Sequence, residues 1–168
     1  MLIGNLPVKK TLEHKYQLFF AIAFMVTLLD QITKWLVSSR IPLYGSMVVI
    51  KGFLNLVHIR NTGVAFGMLS GFHVPYRAVL LALISLAAMF FIIMYLRRLQ
   101  MGQKAWLVGI SVVFGGAFGN FIDRIMYGEV IDFIDCYVGR FHWPAFNVAD
   151  SAITVGIAFL LFTIIRRS

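Results

Sequence analysis

The chain has 168 residues, of which 60% are hydrophobic and 13% charged, with a mean hydropathy of +0.86 and a formal net charge of +8. Soluble domains are nearer half apolar and a quarter charged, so the composition argues against a soluble fold and for one integral membrane domain over residues 1–168. The single cysteine, Cys136, excludes an internal disulfide framework and any multi-cysteine metal site, and the basic residues form no aromatic-interleaved run that would suit nucleic acid.

Four stretches reach the roughly 20 apolar residues needed to span a bilayer: about 17–37, 77–96, 105–123 and 147–165. Lys9, Lys10 and Lys15 precede the first, as they would in a signal peptide. It lacks a clear small-residue cleavage site and contains Asp30, Lys34 and Trp35, so it reads as a retained helix with residues 1–15 as a cytoplasmic extension. Between the first and second spans, residues 46–59 are rich in β-branched and apolar residues broken by Lys51-Gly52, the pattern of two short strands and a turn. Residues 60–69 fit a further strand or a short interfacial helix. A small sheet on four helices would form a platform at the outer surface. The second span ends at Arg97-Arg98. The third contains Gly115-Gly116-x-x-Gly119, small residues that let helices pack closely. The fourth ends at Arg166-Arg167.

Basic residues set the orientation. Lys9, Lys10, Lys15, Arg97, Arg98, Lys104, Arg166 and Arg167 crowd the short segments on one side. Arg40, Lys51, Arg60, Arg124 and Arg140 are spread thinly over the two longer loops, about 38–76 and 124–146. The positive-inside rule then places both termini in the cytoplasm and both loops outside. Lys34 and Arg77 fall at outer helix ends, where they would snorkel. Trp35, Trp106 and Trp143 read as interfacial anchors.

The acidic residues carry the chemistry. Of seven in the chain, Asp123, Glu129, Asp132, Asp135 and Asp150 fall in one stretch. Two phrases, Asn120-Phe-Ile-Asp123 and Asn147-Val-Ala-Asp150, each place an amide and a carboxylate three residues apart, on one face of a helix. The third span runs outward to Asp123 and the fourth runs inward from Asn147, so both phrases reach the outer interface, joined by the loop that holds Asp132. Carboxylates near a membrane are functional candidates by default. Two in one desolvated site repel, one pKa rises, and the pair can share a proton. One then serves as general base on a water while the other protonates a carbonyl oxygen. The macrodipole of the fourth span favours the charged form of Asp150, so Asp150 is expected to be the ionised member and Asp132 the protonated one.

Simpler readings stand beside these. Asp123 and Arg124 fit a structural ion pair at a helix end, and Asp150 fits an ordinary helix-start carboxylate. Asp30 and Lys34, spaced i, i+4, fit an intrahelical pair, with a positioning role as the functional variant. Asn61 fits a turn residue in Asn-Thr-Gly. Asn120 and Asn147 fit interhelical hydrogen-bond links, and Cys136 a small apolar filler of the outer loop. His14, His58, His73 and His142 lack metal spacing. Ser151 lacks a nucleophile-elbow context. Two other function classes fit an acid-bearing membrane chain: a proton-coupled transporter, which should spread its acids across the membrane, and a noncatalytic scaffold.

Five phrases in order, Asp30-Gln-Ile-Thr-Lys34, Asn61-Thr-Gly-Val-Ala-Phe66, Gly115-Gly-Ala-Phe-Gly-Asn-Phe-Ile-Asp-Arg124, Val130-Ile-Asp-Phe133 and Phe146-Asn-Val-Ala-Asp-Ser151, resemble those of the bacterial lipoprotein signal peptidases, also called signal peptidase II. The resemblance covers nearly the whole chain beyond its first 15 residues. Val64 stands where alanine is common and Ile131 where valine is common.

The resemblance implies a mainly α membrane protein of four transmembrane helices with a small extracytoplasmic β-sheet cradle, resident in the bacterial inner membrane with its active site at the outer face. It implies an aspartic endopeptidase, without metal or cofactor, that cuts prolipoproteins just before a diacylglyceryl-modified cysteine. By resemblance the catalytic pair is Asp132 and Asp150. Asp30, Lys34, Asn61, Gly63, Asn120, Asp123, Arg124 and Asn147 match positions that shape the site or hold substrate. Spacing alone does not rank Asp123 below Asp132. Implied partners are the lipidated signal peptide, membrane lipids and cyclic peptide inhibitors of the globomycin type; the chain is expected to act as a monomer. Small residues around Gly63 and Gly115–Gly119 are expected to leave room for an extended peptide and an acyl chain. The first outer loop, through Phe66 and Met68, is expected to close as a lid.

Overall fold

Hydropathy periods this long can satisfy their backbone in lipid only as helices, and the computed structural model, which describes residues 6–63, 74–100 and 102–166, contains four of them. They are α1 (Leu6–Arg40), α2 (Val74–Arg98), α3 (Lys104–Tyr127) and α4 (Val148–Ile165). Each has a segment long and apolar enough to cross a membrane. α1 is longer than its apolar stretch predicts: 35 residues, or about 52 Å at 1.5 Å per residue, carry it well past the 17–37 core. The reading of residues 64–69 and the lid residues Phe66 and Met68 lie outside the described residues, as does His73.

α3 is the central helix and packs on α1, α2 and α4. Its glycines make that possible. A Cβ on Gly115 would lie 2.7 Å from the Ala23 carbonyl oxygen on α1, and one on Gly116 2.5 Å from the Ala149 carbonyl oxygen on α4. These small residues are therefore consumed by helix packing. At Gly115 and Gly116 the space a side chain would fill is taken by α1 and α4.

The bundle turns polar groups inward and apolar ones outward, as a lipid solvent demands. Asp30, Lys34, Ser111, Asn120 and Asp123 are buried, whereas Phe24, Phe91 and Phe162 are exposed. Phe19, Leu96, Leu99, Leu107 and Ile110 form one apolar cluster near the start of α3, and Val37, Ile41 and Phe133 another where α1 meets the sheet.

The sheet has four antiparallel strands in sequence order: β1 (Ser46–Ile50), β2 (Leu54–Asn61), β3 (Val130–Val138) and β4 (Phe141–His142). The Lys51-Gly52 turn joins β1 to β2 as expected, with Gly52 at φ 83°. β3 is new, because residues 124–146 read as a loop from sequence; Cys136 is a half-buried strand residue of β3. α3 stops at Gly128, which adopts the left-handed cap conformation (φ 74°) and donates its N–H to the Arg124 carbonyl. The chain then enters β3 within two residues. β2 and β3 pair with Asn61 opposite Val130 and Ile59 opposite Asp132. The Phe146 carbonyl oxygen accepts the N–H groups of Phe133 and Ile134, so the residue before the α4 N-cap is hydrogen-bonded to β3. That contact brings the two Asn-x-x-Asp phrases and Asp132 to one end of the bundle.

Candidate active site

Asn147 is the hinge of the constellation. It is the N-cap of α4, extended at φ −134°, and forms a capping box with Asp150: its side-chain oxygen accepts the Asp150 N–H (2.9 Å), and Asp150 Oδ2 accepts the Asn147 N–H (3.3 Å). The other end of the same amide, Nδ2, donates to Asp132 Oδ1 at 2.7 Å and also to the Ile131 carbonyl oxygen and Asn120 Oδ1, both at 3.2 Å. One buried residue thus holds both carboxylates, Asp132 through its side chain and Asp150 through its backbone N–H.

Two further amides complete the set. Asn120 Nδ2 donates to Asp150 Oδ1 at 2.7 Å, and Asn61 Nδ2 donates to Asp132 Oδ2 at 2.7 Å. Asn61 is itself held by Gly63, whose N–H donates to Asn61 Oδ1 at 2.8 Å. Gly63 has φ 79° and a Cβ there would collide with Leu81, so the turn requires glycine on both counts. Asn61 is thus held in a turn and at the same time reaches Asp132. Asp132 is 2% exposed, while Asp150 is half-buried. Burial, with the nearby charge of Asp150, pushes the Asp132 carboxyl up to about 6; the Asn61 and Asn147 donors and Lys34 pull in the other direction.

Beneath this layer lies a buried charge cluster. Lys34 Nζ sits 2.7 Å from Asp30 Oδ2 and 2.8 Å from Asp123 Oδ2, and donates to Asn120 Oδ1 at 3.0 Å. The i, i+4 pair forms as expected, but Lys34 does not snorkel. It is 1% exposed and turned inward, because two carboxylates and an amide oxygen replace its hydration. Likewise Asp123 pairs with Lys34 and not with its neighbour Arg124, which donates instead to Ser85 Oγ and the Asn120 carbonyl oxygen, both at 3.3 Å. A side chain next in sequence on a helix points about 100° away, so the two face different neighbours.

Each acid also ties down a distant strand or helix. Asp30 Oδ1 accepts the Ala149 N–H at 2.9 Å, joining α1 to the first turn of α4. Asp123 Oδ2 accepts the Ile131 N–H at 3.1 Å, joining α3 to β3. Gln31, which sequence reasoning passed over, donates to Asp123 Oδ1 (2.9 Å), Asp30 Oδ2 (3.2 Å) and the Gly119 carbonyl oxygen (3.2 Å). Its position inside Asp-Gln-Ile-Thr-Lys was the available signal. All ten residues singled out from sequence lie in or directly against this one network.

The remaining acid of β3 belongs elsewhere. Asp135 accepts from His142 Nδ1 (2.8 Å) and Asn55 Nδ2 (2.9 Å) on the sheet. Burial pushes its carboxyl up, but those two donors outweigh burial and hold it below the usual range. Ser151 Oγ donates to the Asn147 carbonyl oxygen, a local helix bond. Among the described residues no three His, Cys, Asp or Glu side chains converge as metal ligands; Asp30 and Asp123 converge on Lys34.

Residues 22–166 match the family model described as signal peptidase (SPase) II. A lipoprotein signal peptidase of Syntrophus aciditrophicus is 44% identical over 150 residues, spanning 89% of this chain and 93% of that protein. One of Geobacter metallireducens is 43% identical over 92% of this chain and 94% of its own. A solved bacterial membrane enzyme structure superposes with a TM-score of 0.78 at 33% identity, covering 88% of this chain and 87% of the other.

Proposed function

This chain belongs to the signal peptidase II family, and from that premise we propose that it removes signal peptides from prolipoproteins by aspartic catalysis, with Asp132 and Asp150 as the pair. The observation that carries the proposal is the Asn147 amide, which bonds Asp132 at one end and the Asp150 backbone at the other. The raised Asp132 carboxyl supports its role as the protonated member. Asp150, half-buried at a helix N-terminus, accepts an N–H on each oxygen, which fixes both oxygens in place.

In the proposed reaction Asp150 takes a proton from a water held between the pair. The hydroxide attacks the scissile carbonyl carbon as Asp132 gives its proton to the carbonyl oxygen. The resulting gem-diol collapses: Asp150 hands its proton to the leaving amine, Asp132 recovers one from the diol, and the C–N bond breaks. The pair returns to its starting state, and no step requires a group beyond water and the two acids.

The lipid-modified cysteine would anchor the scissile bond at the outer boundary of the bilayer, with cleavage immediately before it. The dyad meets that depth if both termini are cytoplasmic, as the basic residues favour. Arg124, next to Asn120 and reaching Ser85 on α2, is suited to orient the substrate backbone. Cyclic peptides of the globomycin type would occupy the same place.

A gel-shift assay tests this: a diacylglyceryl-modified prolipoprotein in detergent with EDTA, cut by wild type, Asp132→Asn and Asp150→Asn. Cleavage by wild type alone is expected. Near-full activity in either well-folded variant would overturn the assignment and turn attention to Asp123.

A further inference from the structure

We propose a second ligand site at the opposite end of the bundle, for the phosphate of an anionic phospholipid. It is a cavity of about 180 Å³ between the start of the α1 span and the α2–α3 turn, where Lys15, His14, Gln103 and Lys104 meet a floor that includes Leu18 and Leu107.

Lys15 is the unusual element. Its side chain is buried, with the residue only 5% exposed, and its ammonium donates to the carbonyl oxygens of Leu96 (2.9 Å) and Leu99 (3.2 Å) at the end of α2. Carbonyls supply only partial negative charge, and the described residues lining the cavity include no carboxylate. Two of the ammonium's three donors make these bonds, and the Tyr16 ring lies 5.0 Å away, centroid to nitrogen. Lys104, exposed, adds a second cation, and the start of α3 adds a third positive element: Gln103 makes no side-chain cap and the first turn holds no acid. Together these elements present positive charge to the cavity, and a phosphate would complement it.

Depth selects the phosphate's source. Lys15 and Lys34 both lie on α1, nineteen residues apart, which is about 28 Å of helix. The hydrocarbon core is about 30 Å thick. With Lys34 beneath the catalytic pair at one boundary, the Lys15 cavity falls at headgroup depth in the other leaflet. Basic cavities between spanning helices are suited to anionic headgroups.

The test uses the full chain in maltoside, following the thermal unfolding midpoint during titration with short-chain phosphatidylglycerol, phosphatidylcholine of the same chain length, or inorganic phosphate. Phosphatidylglycerol should raise the midpoint saturably, by about 5–10 °C at a hundredfold excess over its Kd, and the other two should not. Lys15→Met should abolish the shift. Should that variant fail to fold, Lys104→Gln, an exposed position, should weaken the lipid about fivefold, and Lys51→Gln, on the sheet at the far end, should leave it unchanged. Equal shifts from phosphatidylcholine, no change in Lys104→Gln, or an equal loss in Lys51→Gln would overturn the site. A full shift from inorganic phosphate would overturn the lipid as its ligand.

Discussion

Removing the Asn61 amide should move one limb of the pH–activity profile and leave the other in place. Asn61 Nδ2 donates to Asp132 Oδ2 at 2.7 Å, and that bond stabilises the ionised carboxylate. Without it, the folded-state pKa rises further above its ordinary value. A hydrogen bond to a charged group contributes about 1.5–3 kcal/mol, and each 1.36 kcal/mol is one pH unit, so full loss would shift Asp132 by about one to two units. Asn61 is an exposed residue, and water replaces part of what it gave. The lower figure therefore applies: from about 6 to roughly 7. If Asp132 works as the acid, kcat/KM falls as pH rises through that value, because the free enzyme loses its proton. The alkaline limb in Asn61→Ala should then sit about one unit higher, with the acid limb unmoved. Lipidated prolipoprotein cleavage, measured below KM from pH 4 to 9, reads both limbs. An alkaline limb that stays in place or moves down would refute Asp132 as the protonated member, whatever the variant's maximal rate.

Two other substitutions probe the support beneath the pair. Lys34→Met leaves Asp30 and Asp123 buried, at 0% and 1% exposure, without their shared cation; it should cost about 3–5 kcal/mol in the detergent unfolding free energy, and a loss below about 1 kcal/mol would show that the cluster neutralises itself by protonation. Gly116→Ala places a methyl 2.5 Å from the Ala149 carbonyl oxygen, which must push the first turn of α4 away from α3. Displacing Asp150 by even a fraction of an ångström should lower kcat about tenfold to a hundredfold, and an unchanged kcat would mean that the pair tolerates movement of its helix.

The helices were legible because hydropathy and terminal arginines need no tertiary knowledge, and the β1–β2 hairpin because Lys51-Gly52 interrupts a β-branched run. β3 was hidden for a physical reason. Val130 to Phe133 are buried on both faces, so no alternation marks the strand, and two carboxylates interrupt its apolar run. The polar network was legible as a set of residues but not as a set of bonds. Asp30 and Lys34 announce their pairing by spacing, whereas Asp123 joins them from 89 residues away. Sequence adjacency instead suggested Arg124 as its partner and solvent as the destination of Lys34. Both expectations treat a charge as local. In a membrane bundle a charge goes where donors and acceptors are, and here they are inside.

Every described side chain that hydrogen-bonds directly to Asp132 or Asp150 is an asparagine: Asn61, Asn120 and Asn147. Amides do not ionise between acid and alkali. Their hydrogen bonds persist at any acidity at which the fold survives, and no described histidine joins them. If the site faces outward, as the basic residues favour, it meets a medium without cytoplasmic buffering. A cage of amides would then keep its shape, so that acidity acts on the proposed pair and not on the frame that aims it.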